Sequence, residues 1–371
     1  MKKENLITVI IFLGMLLMGG ILFLLIPDRD FSENENRYLA KSPEFNKEDL
    51  ISGEYMEAFE EYVSDQFPFR NPLMAVASSY KYLIGMRDIN GTYVGSDGYL
   101  MNKTEVYQVD DERIAKNLTY INDFFEKYKK RLGQENICFM LVPEASMVMT
   151  NKLPYLAEHE WEAELMNNIR GQIKGAAVIE PEKSMSESDR QLYYRTDHHW
   201  TTYGAFEAYK EYASYYGRNV DESDYDFVEV SSSFQGTLYS KVLLPNSAKD
   251  VIVINTKYSD VTLMADNAAG KLYDLEALEQ KDKYEIFLGG NYGIVEIDGN
   301  GKGSLLIIKD SFANSFVPFL LEDYDKIIMI DLRYYTGDTD MLIEKENITN
   351  ILVLYQITNF ISDENMIKLG L

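Results

Sequence analysis

Apolar positions fall into different patterns along the chain. From residue 6 to residue 26 the run is unbroken: no side chain is charged, and Thr8 is the only clearly polar one. A helix of that length covers the roughly 30 Å hydrocarbon core of a bilayer. Residues 32–43 are polar and proline-punctuated, as in a linker. Helical stretches over 48–65 and 72–86 then flank Gln66-Phe67-Pro68-Phe69-Arg70-Asn71. Residues 92–94 and 99–101 bracket Gly95-Ser96-Asp97-Gly98 and predict a hairpin. Over 112–131, Ile114, Leu118, Ile121, Phe124 and Phe125 share one helical face, and the wholly apolar 137–142 follows. A helix over 161–174 precedes a short strand at 177–179. This β–α–β alternation predicts an α/β architecture.

The segment 222–299 reads as strands at 251–254, 261–264 and 284–287, an insertion decorating the main sheet. Beyond it, 305–309, 327–331 and 351–355 are continuous, β-branched-rich runs, as in parallel strands covered on both faces. Functional groups in open α/β sheets collect beyond the carboxyl ends of the strands. Those ends are Asp310-Ser311, Leu332-Arg333-Tyr334-Tyr335 and residues 356–359.

Charge changes the reading of the amino terminus. Lys2 and Lys3 precede the apolar run, and Pro27-Asp28-Arg29-Asp30 follows it with no matching positive bias. The positive-inside rule puts the N-terminus in the cytoplasm and the bulk of the chain outside the cell membrane. The run exceeds the apolar core of about 7–15 residues in a cleaved signal peptide, and no A-x-A-like site follows. It therefore reads as a single-pass anchor. The expected organisation is a cytoplasmic tail at 1–5, a transmembrane anchor at 6–26, a linker with lead-in helices at 27–88, and a catalytic domain at 89–371. A net charge of −24 works against a nucleic-acid partner and against unassisted docking to anionic lipid. The one cysteine, Cys138, lies in an apolar run and reads as a small buried hydrophobe.

Candidate chemistry concentrates in Tyr194-Arg195-Thr196-Asp197-His198-His199-Trp200-Thr201, which holds two of the three histidines. A helix over 203–216 follows, capped by Thr201 or Thr202. In extended chain before that helix, residues i and i+2 point to the same side. Asp197 can then accept the Nδ1 proton of His199 and leave Nε2 as a base, with His198 pointing away. Two plainer readings compete: a hydrogen-bonded structural pair, and a metal site. Nitrogen and sulfur ligands are scarce, so no metal or other cofactor is expected. The nucleophile best placed for such a base is Ser311, where a buried strand ends at Asp310-Ser311 and helical residues run on to about 321. A serine at a strand-to-helix turn projects its hydroxyl above the sheet, where helix N-terminal amides can bind an oxyanion. The alternative is a simple helix cap. Ser315 is the competing hydroxyl, one turn into the helix.

Thr196-Asp197-His198-His199-Trp200-Thr201 resembles the signature of the DHHW family. That family is similar to SGNH-like proteins that O-acetylate alginate and other exported polysaccharides. The resemblance extends to Glu35-Asn36-Arg37, Asp65-Gln66-Phe67-Pro68-Phe69-Arg70, Gly289-Gly290-Asn291 and Lys309-Asp310-Ser311-Phe312. It implies an SGNH-hydrolase-like parallel sheet with flanking helices, and a triad of Ser311 as nucleophile, His199 as base and Asp197 as orienting carboxylate. The SGNH pattern has Gly before Asp-Ser, where this chain has Lys309. An SGNH oxyanion hole uses the serine amide plus Gly and Asn groups at the ends of the next strands. Asn359 is the positional match for that Asn, with Asn291 a second candidate. Arg333 and Tyr334 stand where the Gly is absent.

The activity implied is transfer of an acyl group, acetyl by resemblance, to exported or cell-surface polysaccharide. A membrane-bound O-acyltransferase is the partner that would deliver activated acyl groups across the membrane. The alternatives are a carbohydrate acetyl-esterase of the same fold and a non-catalytic surface-assembly or carbohydrate-binding protein.

Overall fold

The computed structural model describes residues 3–32 and 37–370; Lys2, Glu35 and Asn36, which carry part of the topology and family readings, lie outside the described residues. The chain divides into two units, Met1–Met86 with Ser240–Asn246, and Arg87–Tyr239 with Ser247–Leu371.

In the first unit, α1 (Lys3–Leu25) contains the span Leu6–Leu25, among the described residues the one helix long and apolar enough to cross a membrane. Three short helices follow: α2 (Lys47–Ser52), α3 (Glu54–Gln66) and α4 (Arg70–Leu83). The single helix expected over 48–65 is thus two, because Gly53 adopts φ +94°, a left-handed conformation open to glycine that closes α2 and starts α3.

The second unit is built on an eight-stranded sheet: β1 (Ile137–Val142), β2 (Ala177–Ile179), β3 (Thr262–Ala265), β4 (Ala268–Lys271), β5 (Ile294–Asp298), β6 (Ser304–Lys309), β7 (Lys326–Ile330) and β8 (Asn350–Gln356). Its order is β4-β3-β5-β7-β6-β8-β1-β2. From β7 to β2 every neighbour is parallel. The other edge, β5, β3 and β4, is antiparallel. The sheet is therefore mixed, and strands from the region read as an insertion extend it.

Both faces of the parallel part are covered, which is why its strands read as unbroken apolar runs. Leu305 and Ile307 of β6 face one core, together with Phe206, Tyr209 and Tyr212 of the helix Thr202–Tyr215. Leu306 and Ile308 face the other, with Ile121, Phe124 and Phe125 of α5 (Asp111–Leu132). Next along the chain come α6 (Glu160–Gly171) and α7 (Thr202–Tyr215). Thr201 caps α7, its hydroxyl accepting the Gly204 N–H at 3.2 Å. Tyr284, expected in a strand, lies in a 3-10 turn (Lys283–Ile286).

Candidate active site

Ser311 stands just beyond the carboxyl end of the central strand β6, and is 8 % exposed. Asp310 shapes the turn beneath it: its carboxylate accepts the N–H of Phe312 at 2.9 Å, the N–H of Gln356 at 2.7 Å and the Asn359 amide at 2.8 Å. Burial raises the Asp310 pKa, and these donors offset part of the rise. The expected helix is a single α-turn, Ala313–Phe316, running into a 3-10 segment, Val317–Glu322. Pro318, which has no N–H to donate, ends the α-helical bonding. So short a helix carries little dipole. Among the described residues, the Ser311 N–H itself has no hydrogen-bond partner.

The histidine segment is not the extended chain expected from sequence. Residues 194–199 form a bent loop closed by the bridge between Tyr193 and Trp200, with Tyr194 N–H donating to the His199 carbonyl at 3.2 Å. The bend has two carboxylates at its heart. Buried Asp250 accepts the Arg195 N–H at 2.9 Å, the Thr196 N–H at 2.8 Å and the Thr196 hydroxyl at 2.6 Å. Asp197 Oδ1 accepts the backbone N–H of His199 at 3.0 Å, a turn that aspartate makes with its own chain.

The loop delivers the His199 ring to Ser311. Its Nδ1 lies 2.6 Å from Asp197 Oδ1 and its Nε2 2.8 Å from Ser311 Oγ. The ring stacks on Tyr284 with centroids 3.7 Å apart and planes 5° off parallel. The Tyr284 hydroxyl donates to the Ser311 carbonyl at 3.3 Å and lies 3.1 Å from Ser315 Oγ. Trp200 Nε1–H reaches Ser315 Oγ at 2.9 Å and the Phe312 carbonyl at 3.0 Å. Ser315 is thereby a buried link in the wall, and Ser311 is the hydroxyl offered to the imidazole. Burial alone would raise the Asp197 pKa, but the charges of His198 and His199 and the bonds from His199 outweigh it and hold the carboxyl well below its usual range. Ionised Asp197 fixes the tautomer: Nδ1 of His199 carries the proton and Nε2 faces Ser311 unprotonated.

His198 does not point away, because the bend brings its ring to 3.9 Å from that of His199, centroid to centroid. Its Nδ1 lies 2.8 Å from Thr237 Oγ1. Thr237 in turn gives its N–H and its hydroxyl to Asp197 Oδ2, at 2.8 and 3.1 Å. A hydroxyl has one proton, so when Thr237 donates to Asp197 it must accept from His198 Nδ1–H. Neither Thr237 nor Tyr284 carries a sequence signal that would have placed it here.

Asp197, His198 and His199 offer ligand atoms within 4.8 Å of one another, among the described residues the one arrangement that could suit a metal ion. Those atoms are already engaged with each other, with Thr237 and with Ser311. A metal would have to break the His199–Asp197 bond, so the donor set does not favour one.

The four oxyanion or substrate candidates are engaged in other ways. Asn359 donates to Asp310 and so supports the nucleophile turn. Asn291 Oδ1 accepts from Asn314 at 3.2 Å and from buried Lys309 at 3.4 Å. Lys309, which stands where the SGNH pattern has glycine, also donates to Asn314 Oδ1 at 2.9 Å and lies 3.7 Å from Asp331. Burial pushes its pKa down to about 8, against the pull of Asp331. Arg333 clamps Asp331 with two bonds, at 2.9 and 2.6 Å. It lines a cavity of about 290 Å³ with Asp310, Tyr355 and Asn359. Tyr334 is 53 % exposed and packs on Arg333.

Two further buried carboxylates, Glu144 and Glu162, sit beyond the carboxyl end of β1. Burial pushes Glu162 up to about 7; a 2.6 Å bond from Ser146 opposes the rise and the charge of Glu144 adds to it. Its unfolded value is about 4.3, so between the two values the folded chain holds the extra proton. Stability therefore falls as pH rises across that window. The stability of Glu162→Gln relative to the parent chain is expected to improve by about 3 kcal/mol between pH 4.5 and pH 8. Denaturant unfolding at the two pH values measures it, and an unchanged difference refutes the raised pKa.

The family described as DHHW protein matches residues 170–330, which include the Asp197-His198-His199 loop and Ser311. Among solved structures, a DHHW family protein from Eubacterium siraeum is 24 % identical, with 76 % of this chain and 95 % of that one covered at a TM-score of 0.61. PatB1 of Bacillus cereus, solved with a sulfonyl adduct, is 21 % identical, with 72 % and 97 % covered at a TM-score of 0.59. The O-acetyltransferase domain of Pseudomonas putida AlgJ is 13 % identical, with 74 % and 93 % covered at a TM-score of 0.46. No curated protein sequence matches the chain. At these identities the two structures with TM-scores above 0.5 speak to the fold alone, which is SGNH-like α/β. The segment that carries the signature loop and Ser311 is similar to the DHHW family, over less than half of the chain.

Proposed function

We propose that the chain is a serine acyltransferase that moves acetyl groups onto exported or cell-surface polysaccharide through an acyl-enzyme. The observation that carries the reading is the Asp197–His199–Ser311 line, at 2.6 and 2.8 Å, beyond the carboxyl ends of the parallel strands. Polysaccharide as acceptor and acetyl as the group rest on the family resemblance. An extracytoplasmic location rests on α1 as a membrane anchor and on the charge bias beside it.

In this reading Ser311 Oγ attacks the carbonyl carbon of the donor while its proton passes to His199 Nε2. Asp197, ionised and buried, stabilises the imidazolium that forms. The Ser311 N–H, without a partner, supplies one hydrogen bond to the developing oxyanion. Collapse expels the donor's leaving group, which takes the proton from Nε2, and leaves acetyl on Oγ. A sugar hydroxyl then attacks that ester, gives its proton to Nε2, and departs acetylated as the proton returns to Ser311. The donor arrives from a membrane-bound O-acyltransferase, since activated acetyl is made in the cytoplasm.

The test is covalent labelling. A fluorophosphonate or sulfonyl fluoride incubated with the purified protein is expected to modify Ser311 stoichiometrically, as read by peptide mapping. Suppression of labelling by an acyl-ester substrate ties the label to turnover. Labelling absent from Ser311, or spread over surface serines, refutes the reading.

A further inference from the structure

The first unit carries an apolar surface of its own beside α1. On α4 and its C-cap, Leu73, Val76, Tyr80, Leu83 and Ile84 recur at helical spacing, and each is between 51 % and 82 % exposed. The tip joining α3 to α4 adds exposed Phe67 and Phe69. An unpartnered stripe of this kind calls for an occupant.

The packing inside the unit identifies it. Aromatic rings form a row that starts on α1 itself: Phe23 to Tyr62 at 5.5 Å, Tyr62 to Phe59 at 6.1 Å, Phe59 to Tyr55 at 6.2 Å and Tyr55 to Phe45 at 5.6 Å. Phe67 Cζ lies 3.5 Å from where a side chain on Gly19 would begin, more than a turn inside α1. Polar bonds fasten the end of α3 to the chain leaving α1. Gln66 and Arg29 exchange two bonds, at 3.0 and 2.9 Å, and the Tyr62 hydroxyl donates to Asp28 at 3.1 Å. Asp65 adds a bond from Arg37 at 2.7 Å and another from the Ala40 N–H at 2.9 Å.

These ties fix depth. Arg29 is four residues past the end of α1, a reach of at most about 14 Å. The Leu6–Leu25 span, 20 residues, has no surplus over the roughly 30 Å hydrocarbon core, so its last turns cannot be withdrawn to make room. With α1 spanning a bilayer, Tyr62 and Gln66 stand at the interface, and Phe67 reaches below the end of the helix.

We propose that α3 and α4 form a second membrane contact, a hairpin lying in the outer lipid interface with Phe67, Phe69 and the α4 stripe immersed. The inference rests on reading α1 as a membrane anchor. Aromatic rings at the headgroup level and apolar side chains just below it match the chemistry of that layer. Glu54, Glu57, Glu60 and Glu61 of α3 are exposed and face water, so the contact takes zwitterionic lipid and gains nothing from anionic lipid.

Single-cysteine labelling of the full chain tests this in phosphatidylcholine vesicles. Cys138 is buried and its thiol is pushed up to about 12, so it does not compete for the label. An environment-sensitive fluorophore is placed at Val76→Cys and Tyr80→Cys on the stripe, at Glu60→Cys on the acidic face, and at Leu16→Cys in α1. The stripe positions are expected to be quenched several-fold more by lipids spin-labelled near the headgroup than by aqueous iodide, and Glu60→Cys the reverse. Stripe positions open to iodide while Leu16→Cys is quenched by lipid overturn the proposal alone. Escape of Leu16→Cys from lipid quenching overturns the anchor reading and the proposal with it. Stripe positions shielded in native membranes yet open to iodide in pure lipid assign the surface to a protein partner, which also overturns it.

Discussion

Turnover of an activated acyl ester is expected to fall by about six orders of magnitude in Ser311→Ala, and by a similar factor in His199→Ala. The double variant should lose little more, because a base without its nucleophile, or a nucleophile without its base, has already lost the shared step. Structure argues that the Ser311→Ala loss is chemical. The Ser311 hydroxyl makes one hydrogen bond, to His199, so its removal costs the fold about 1 kcal/mol. His199→Ala also removes a ring packed against Tyr284 and Phe312, and His199→Gln serves as the fold-preserving partner. Asp197→Asn is expected to be damaging but less complete, since the amide keeps the place of the carboxylate and loses its charge. Initial rates with a chromogenic acetyl ester, alongside circular dichroism of each variant, measure the series. An enzyme that stays active after Ser311→Ala has another nucleophile. Additive losses in the double variant would mean that the two residues do not act together.

The residues of the line were legible in sequence for separate reasons. Asp197 and His199 stand out because imidazoles are scarce and one carboxylate lies two residues away. Ser311 stands out because it ends a run, Leu305 to Lys309, that can only be a buried strand. The backbone conformation that assembles them was not legible. The reading required extended chain between Asp197 and His199, and the loop is bent instead by Asp250, a residue some fifty positions downstream. Local pattern cannot register a carboxylate that distant. The same bend carried His198 into the site when alternation sent it away. The partners of the oxyanion candidates were hidden for a related reason. Position beyond a strand end names Asn359, but only the side-chain network reveals that its amide donates to Asp310. In the sheet, the covered parallel strands announced themselves through unbroken apolar runs. In the antiparallel edge β3 was legible at 261–264, whereas β4 was not, because it is built of Ala-Ala-Gly-Lys and carries no strand-like pattern.

Gly236→Ala is expected to cost between about 10² and 10⁴ in acyl-ester turnover, although residue 236 bears no side chain and touches no substrate. It precedes Thr237, whose N–H and hydroxyl both bind Asp197. A methyl group built on Gly236 would stand 2.1 Å from Asp197 Oδ2, 2.4 Å from its Cβ and 2.5 Å from its Cγ. Rotation of the carboxylate relieves the first clash but not the contact with Cβ, which is fixed to the backbone. One of the two loops must therefore move, and the His199 ring moves with Asp197 because the two share a side-chain bond and a backbone bond. Displacement of a reacting group by about 1 Å is enough for a 10²-fold loss. Complete loss of the orienting carboxylate sets the upper figure at about 10⁴. The cost to folding is smaller, about 1–3 kcal/mol as for other overpacked sites, so the variant should remain folded at room temperature. The rate of fluorophosphonate labelling at Ser311 reads the effect directly, because that reaction needs the same base. A Gly236→Ala protein that labels as fast as the parent would show that His199 does not depend on the position of Asp197.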